Sequence, residues 1–125
     1  MTDYKPATVQ DVEPALKTWQ RGIAENDLES IAAAFTTDAL FQGLRPQPAY
    51  GPDGVKDYYG SQPAPLTVDY QIVHFRSLTD QAAMVYLEAN FHPAGRNDLR
   101  THITLVLQPV DGRWLINHYH VSVIN

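Results

Sequence analysis

The sequence predicts a single α+β domain in which helices come first and a bent antiparallel sheet follows. Residues 8–60 carry the three-to-four-residue apolar spacing of helices, whereas residues 66–124 carry the alternation of strands. The 125 residues, 14.0 kDa in all, amount to one domain, whose core we place at about residues 8–124. Apolar residues make up 44% of the chain, which is enough for one hydrophobic core.

The first helix is predicted from a single apolar stripe. Pro14 lies close to its start, and proline is tolerated in a first turn because its missing N–H would have no partner there. We therefore favour Asp11 over Thr8 as the N-cap. The stripe consists of Val12, Leu16, Trp19 and Ile23.

Two short helices are predicted next. Asn26 and Asp27 end the first helix and cap the second, and the turn residues 51–54 precede the third. Prolines crowd the segment 46–65, so the third helix is expected inside a loop-rich stretch. The buried stripes are Leu28, Ile31, Ala32 and Phe35 in the second helix and Val55, Tyr58 and Tyr59 in the third.

Four strands are predicted after Leu66, where the apolar period changes to two. Turns at 78–81, 93–98 and 110–112 separate the strands, and Asp111-Gly112 is a strong hairpin signal. The third and fourth strands are placed at 101–108 and 114–124. In the second strand Glu88 lies on the face opposite the apolar one. That apolar face is formed by Ala83, Val85, Leu87, Ala89 and Phe91.

Composition and charge exclude several classes of protein. The chain has no cysteine, which removes disulfides, thiol nucleophiles and cysteine-based metal sites. A net charge of −5 with nine dispersed Lys and Arg residues argues against a nucleic-acid binder. No apolar run approaches the ~18 residues of a membrane span, and no signal peptide is evident at the N-terminus. We therefore expect a soluble, cytoplasmic protein.

Two segments resemble the nuclear transport factor 2-like superfamily. Residues 35–39, Phe-Thr-Thr-Asp-Ala, look like the family's entry into its first strand, and residues 111–122, DGRWLINHYHVS, look like its final strand. Polyketide-cyclase-like members and the small proteins of enediyne-antibiotic gene clusters are the most similar subgroup. The resemblance implies a cone-shaped domain whose curved sheet wraps round the first helix. It also implies a homodimer paired through the convex face, to which we assign Tyr86, Glu88, Asn90, Asn117 and Tyr119.

Histidines are the candidate catalytic residues. His118 and His120 are two residues apart on the final strand and share a face with Trp114, Ile116 and Ser122. In the resembled fold that face points into the cone, so we expect His120 as general base, with His118 and His74 assisting. The alternative is a set of structural histidines at the edge of the core.

A metal site is the weaker interpretation of the two histidines on the final strand. A His-x-His pair on a strand needs a third ligand, for which His74, His102 or Glu88 would have to serve. We expect no metal. No dinucleotide fingerprint, phosphate-binding glycine loop or nucleophile elbow occurs, so no cofactor is expected either.

Aromatic side chains are the candidate pocket residues, with core packing as the alternative. A tyrosine hydroxyl in a cavity can donate to a substrate carbonyl and stabilise a developing enolate. The predicted function is cofactor-independent isomerisation, dehydration or cyclisation of a polyketide- or isoprenoid-like intermediate. A non-catalytic ligand-binding or assembly module is the alternative. The expected substrate-binding residues are Trp19, Phe35, Phe41, Tyr58, Tyr59 and His102.

Overall fold

The computed structural model describes residues 5–125, which form three helices and one six-stranded sheet. This confirms the predicted α+β class, and two strands lie between the second and third helices. No helix in the described part of the chain is long and apolar enough to cross a membrane. The helices are α1 (Val9–Glu25), α2 (Leu28–Ala33) and α3 (Gly51–Gly60), and the strands are β1 (Phe35–Gln42), β2 (Ala49–Tyr50), β3 (Leu66–Thr79), β4 (Ala82–Pro93), β5 (Leu99–Val110) and β6 (Arg113–Val123).

Helix α1 begins three residues earlier than the sequence suggested, because a capping box outweighs the proline. Thr8 is the N-cap, and its backbone N–H donates to the Asp11 carboxylate at 2.8 Å. Pro14 therefore lies inside the helix. Asp11 is the N3 partner in the cap, and the prediction that it is the N-cap is wrong.

The sheet has the strand order β2-β1-β6-β5-β4-β3. Strands β3 to β6 form the predicted antiparallel meander, and β1 joins β6 in parallel. The inner face packs against α1, which buries Val12, Leu16 and Trp19 completely or nearly so. The opposite side of the sheet is called the outer face below and comprises His74, Met84, Tyr86, Glu88, Asn90, His92, His102, Thr104, Val106, His118 and His120.

A bulge in β6 changes which side chains point inward. His118 pairs with Val106, whereas Ile116 pairs with Leu107, so Asn117 is the extra residue. Before the bulge Ile116 faces the core, and after it Tyr119 and Val121 do so. The Asn117 amide donates at 3.0 Å to both the Thr36 hydroxyl and the Asp38 carboxylate of β1. Asp38 lies in β1, within the segment that resembles the family's entry into its first strand.

Candidate functional site

A small cavity opens where the C-terminal end of α3, the start of β3 and the β4–β5 turn converge. Its volume is about 200 Å³, and its wall is mostly apolar. These segments are far apart in sequence and come together only in the folded chain. The lining residues are Leu44, Tyr58, Tyr59, Gln62, Pro63, Leu66, Phe91, Pro93, Arg96, Leu99, Tyr119 and Val121.

Two tyrosines of the wall form a hydroxyl pair, which here means Tyr59 of α3 and Tyr119 of β6. Both side chains are almost completely buried. The Tyr59 hydroxyl accepts a hydrogen bond from the indole Nε1–H of Trp19 at 2.9 Å. It also interacts with the Tyr119 hydroxyl. The result is a short polar chain that runs from α1 to the cavity.

The hydroxyl pair holds one more hydrogen than its internal bonds use. Indole nitrogen is only a donor, so Tyr59 must accept from Trp19. The two hydroxyls carry two hydrogens, and at most one of these can lie between the two oxygens. At least one O–H of the pair is therefore left for another acceptor, such as a molecule in the cavity, and we call it the spare O–H.

Burial keeps this donor protonated. Removal from water raises the pKa of Tyr59 and raises the pKa of Tyr119 well above its ordinary range. A buried O–H without an acceptor loses the hydrogen bonds that water would offer, so a bound acceptor is favoured there. The arrangement can therefore orient or polarise a carbonyl oxygen.

Tyr58 forms another part of the wall and depends on a glycine. Its hydroxyl accepts from the backbone N–H of Leu44 at 3.1 Å, and its ring lies against Gly43, the residue after β1. A Cβ at Gly43 would lie 2.3 Å from the Tyr58 ring, so any other residue would displace that ring. Burial raises the pKa of Tyr58 as well.

Tyr58 and Tyr59 line the cavity, while the other aromatic candidates lie behind its wall. Trp19 holds the Tyr59 hydroxyl, and Phe41 stacks on Tyr119 with ring centroids 4.2 Å apart. Phe35 packs in turn against Phe41, with ring centroids 5.7 Å apart. Trp19, Phe35 and Phe41 are core residues that hold the tyrosines in position.

The prediction that His118 and His120 face the cavity is wrong. The bulge at Asn117 shifts the alternation of β6 by one residue, so both histidines lie on the outer face, opposite Val106 and Thr104 of β5. The inward place expected for His120 is taken by Tyr119, which we had assigned to the convex face. The two imidazoles have centroids 6.5 Å apart.

The remaining histidines also lie outside the cavity. His74 is exposed on the outer edge strand β3, near Arg76, and is not placed to assist a reaction in the cavity. His102 stacks on Tyr86 on the outer face, with ring centroids 5.1 Å apart, so it does not line the cavity in which its contact with substrate was expected. Within residues 5–125 no three His, Asp or Glu side chains are grouped closely enough to hold a metal.

Two important cavity residues were not among the candidates. Tyr119 was missed because the bulge was not anticipated, although the apolar residues of β6 change from even to odd numbers after Ile116. Arg96 was placed in a turn, correctly, but nothing in the sequence indicates that this turn borders a cavity.

Comparison with known proteins supports the fold and places the chain in a family. Residues 12–125 match the model of the SnoaL-like domain. A domain of unknown function with a cystatin-like fold from Nostoc punctiforme has a TM-score of 0.82 at 13% identity, covering 95% of this chain and 80% of that one. A ketosteroid isomerase-like protein from Erwinia carotovora atroseptica has a TM-score of 0.80 at 18% identity, covering 94% and 96%.

A type 2 hexachlorocyclohexane dehydrochlorinase is similar over 94% of this chain and 83% of its own, with a TM-score of 0.77 at 12% identity. At these identities the likeness shows a shared fold. No curated protein matches the chain in sequence.

Proposed function

The chain belongs to the SnoaL-like domain family, and from that premise we propose that its cavity binds a small, largely apolar molecule that carries a carbonyl oxygen. The observation that carries the proposal is the spare O–H in the wall of a mostly apolar cavity. Ligand sites typically combine such walls with a few placed polar groups. The cavity's volume of about 200 Å³ lies below the roughly 300–1,000 Å³ of drug-sized sites, which favours a small ligand.

A polyketide- or isoprenoid-like intermediate is the class of ligand that we propose. Such molecules combine an apolar body with isolated oxygen functions. The apolar side chains of Leu66, Phe91 and Val121 would contact the body, and the hydroxyl pair would bind the carbonyl.

Binding without chemistry is favoured over proton transfer by histidine. A general base must come within hydrogen-bonding reach of the proton that it removes. Within residues 5–125 the cavity wall includes neither a histidine nor a carboxylate. His118 and His120 lie on the outer face of the sheet, so a ligand in the cavity is beyond their reach.

A second candidate is an isomerase, dehydratase or cyclase in which the spare O–H polarises the carbonyl. The observation in its favour is that burial holds both tyrosines protonated, as an oxyanion-stabilising donor must be. The base would then have to come from the ligand or from the solvent.

Acetophenone and ethylbenzene test the binding proposal, because they differ by a single carbonyl oxygen. Binding is followed by the NMR signal of the Trp19 indole N–H, which donates directly to Tyr59. We expect acetophenone to shift this signal and to bind about threefold to tenfold more tightly than ethylbenzene, as one net hydrogen bond provides.

The double variant Tyr59→Phe, Tyr119→Phe is the decisive comparison. This variant should bind ethylbenzene with unchanged affinity, which would show that the cavity is intact. It should no longer bind acetophenone more tightly than ethylbenzene. The matched control Tyr50→Phe alters a hydroxyl on a side chain that is 67% exposed and should keep the preference. Failure of both ligands to shift the Trp19 signal would refute the proposed function.

Deuterium exchange separates binding from catalysis. The methyl protons of acetophenone exchange through an enolate, so a protein that only binds the ketone should not accelerate their exchange in D₂O. Acceleration that disappears in the double variant would favour the second candidate.

A further inference from the structure

Arg96 is the one charged side chain among the described lining residues of the cavity. It lies in the turn between β4 and β5, at the rim, and is exposed. Its guanidinium takes part in no ion pair within residues 5–125, whereas Arg45, Lys56 and Arg100 are each paired with an acidic side chain. Within residues 5–125, a guanidinium without an ion-pair partner therefore lies beside a mostly apolar cavity.

The acidic residue nearest in sequence is engaged elsewhere. Asp98 lies two residues after Arg96, and its carboxylate is 2.9 Å from Nδ1 of His92. The other nitrogen of that ring is 2.9 Å from the Asp69 carboxylate. His92 lies on the outer face of β4, so the Asp98 carboxylate is engaged on that face and forms no ion pair with Arg96.

The positive charge of Arg96 contrasts with the negative charge of the whole chain. The whole chain carries a net charge of −5, which on its own would repel an anion. Close to the rim, the Arg96 guanidinium attracts an anion instead of repelling it. Its five N–H donors can form paired hydrogen bonds with a carboxylate. The wall behind it is apolar and ends at the hydroxyl pair.

We propose that the ligand is a small keto acid. Its carboxylate pairs with Arg96 at the rim, and its carbonyl accepts a hydrogen bond from the spare O–H inside the cavity. The inference rests on the proposed binding function and adds an anionic head group to it. Arg96 would then select acids over neutral compounds of the same shape, and the hydroxyl pair would select carbonyl compounds over hydrocarbons.

The test uses 4-oxo-4-phenylbutanoate and 5-oxo-5-phenylpentanoate, each beside its methyl ester. Two chain lengths are used so that at least one can span the cavity from rim to hydroxyl pair. Affinities come from the Trp19 indole N–H signal. At least one acid should bind about fivefold more tightly than its ester, as expected for a partly exposed ion pair, and the difference should shrink at high salt.

Arg96→Gln should bring the acid's affinity down to that of its ester and leave ester binding unchanged. Arg21→Gln makes the same change of charge on an exposed residue of α1 outside the cavity wall and should keep the preference for the acid. If the esters bind as tightly as the acids, or if Arg96→Gln retains the preference, the inference is wrong while the binding function stands. If neither acids nor esters bind while acetophenone does, the inference alone is wrong, and if acetophenone and ethylbenzene fail as well, both proposals are overturned.

Discussion

His92 is held between two carboxylates from different parts of the chain. Asp98 in the β4–β5 turn faces its Nδ1, and Asp69 in β3 faces its Nε2, each at 2.9 Å. Both ring nitrogens must carry a proton to donate to both partners, so the site favours imidazolium. The hydrogen bond to Asp98 and then that to Asp69 raise the pKa of His92 above its ordinary value of 6.5.

The raised pKa predicts the direction of a pH effect on stability. Below pH 6.5 the protonated ring stabilises the folded state fully, and this contribution is lost as the pH rises through the folded-state pKa. Melting temperatures of the wild type and His92→Gln, measured between about pH 5.5 and 9, should therefore differ most at the acidic end.

The carboxylates provide the control for His92. A variant with Asp69→Asn and Asp98→Asn keeps the imidazole but removes what raises its pKa, so the excess stability at acidic pH should again be lost. Since the other four histidines are present in every variant, their titration cancels in the comparison. A gap between wild type and His92→Gln that stays constant with pH would contradict the prediction.

Individual side chains differed in how far the sequence could place them. Tyr58 and Tyr59 were predictable as inward-facing residues, because helical spacing fixes a side chain's direction. Arg96 was not, because the direction of a side chain in a turn depends on the turn's own conformation and on the segments around it.

At the scale of one element, β6 shows that regular alternation does not reliably predict which side chains face the core. Before Asn117 the inward residue is Ile116, and after it the inward residues are Tyr119 and Val121. The change of the apolar residues from even to odd positions is visible in the sequence. It does not decide which face His118 and His120 occupy, because histidine is found both on buried and on exposed faces. At the bulge the Asn117 amide donates to acceptors on β1, a contact that alternation within β6 cannot reveal.

Asn117 is expected to stabilise this bulge measurably. Its amide makes two hydrogen bonds of 3.0 Å to β1, so Asn117→Ala should lower the free energy of unfolding by about 1–2 kcal/mol. Chemical denaturation provides the measurement. Asn97→Ala, in the exposed β4–β5 turn, makes the same truncation and should change stability by less than about 0.5 kcal/mol.

A loss of stability in Asn117→Ala no larger than in Asn97→Ala would mean that the bulge is held by the backbone alone. The Asn117 variant should also weaken acetophenone binding, because Tyr119 lies two residues after the bulge and takes its direction from it.

At the scale of the whole molecule, the order of helices and strands followed from local patterns. The strand meander was predictable from its turns, and α1 from its apolar stripe. The cavity was not, because its wall combines α3, the ends of β3, β4 and β5, and the middle of β6. Local periodicity cannot show which ends of a curved sheet converge.

The outer face provides the last prediction, which is that two copies of the chain pair through it. On the central strands β4 and β5 this face presents the half-buried side chains of Met84, Tyr86, Thr104 and Val106. Glu88 and Asn90 lie on the same face, as expected, whereas Tyr119 faces the cavity and Asn117 occupies the bulge. We therefore expect light scattering to give the mass of a dimer.

Val106→Glu should convert that dimer to a monomer, because Val106 lies between Met84 and His118 in the middle of the face. An unpaired carboxylate buried there would cost several kcal/mol in an interface, while the separate chain leaves it in water. Val110→Glu changes an exposed valine at the end of β5 and should leave the dimer intact. A wild-type monomer, or a dimer that survives Val106→Glu, would exclude this face, and the cavity of each chain would then have to function without a partner behind its sheet.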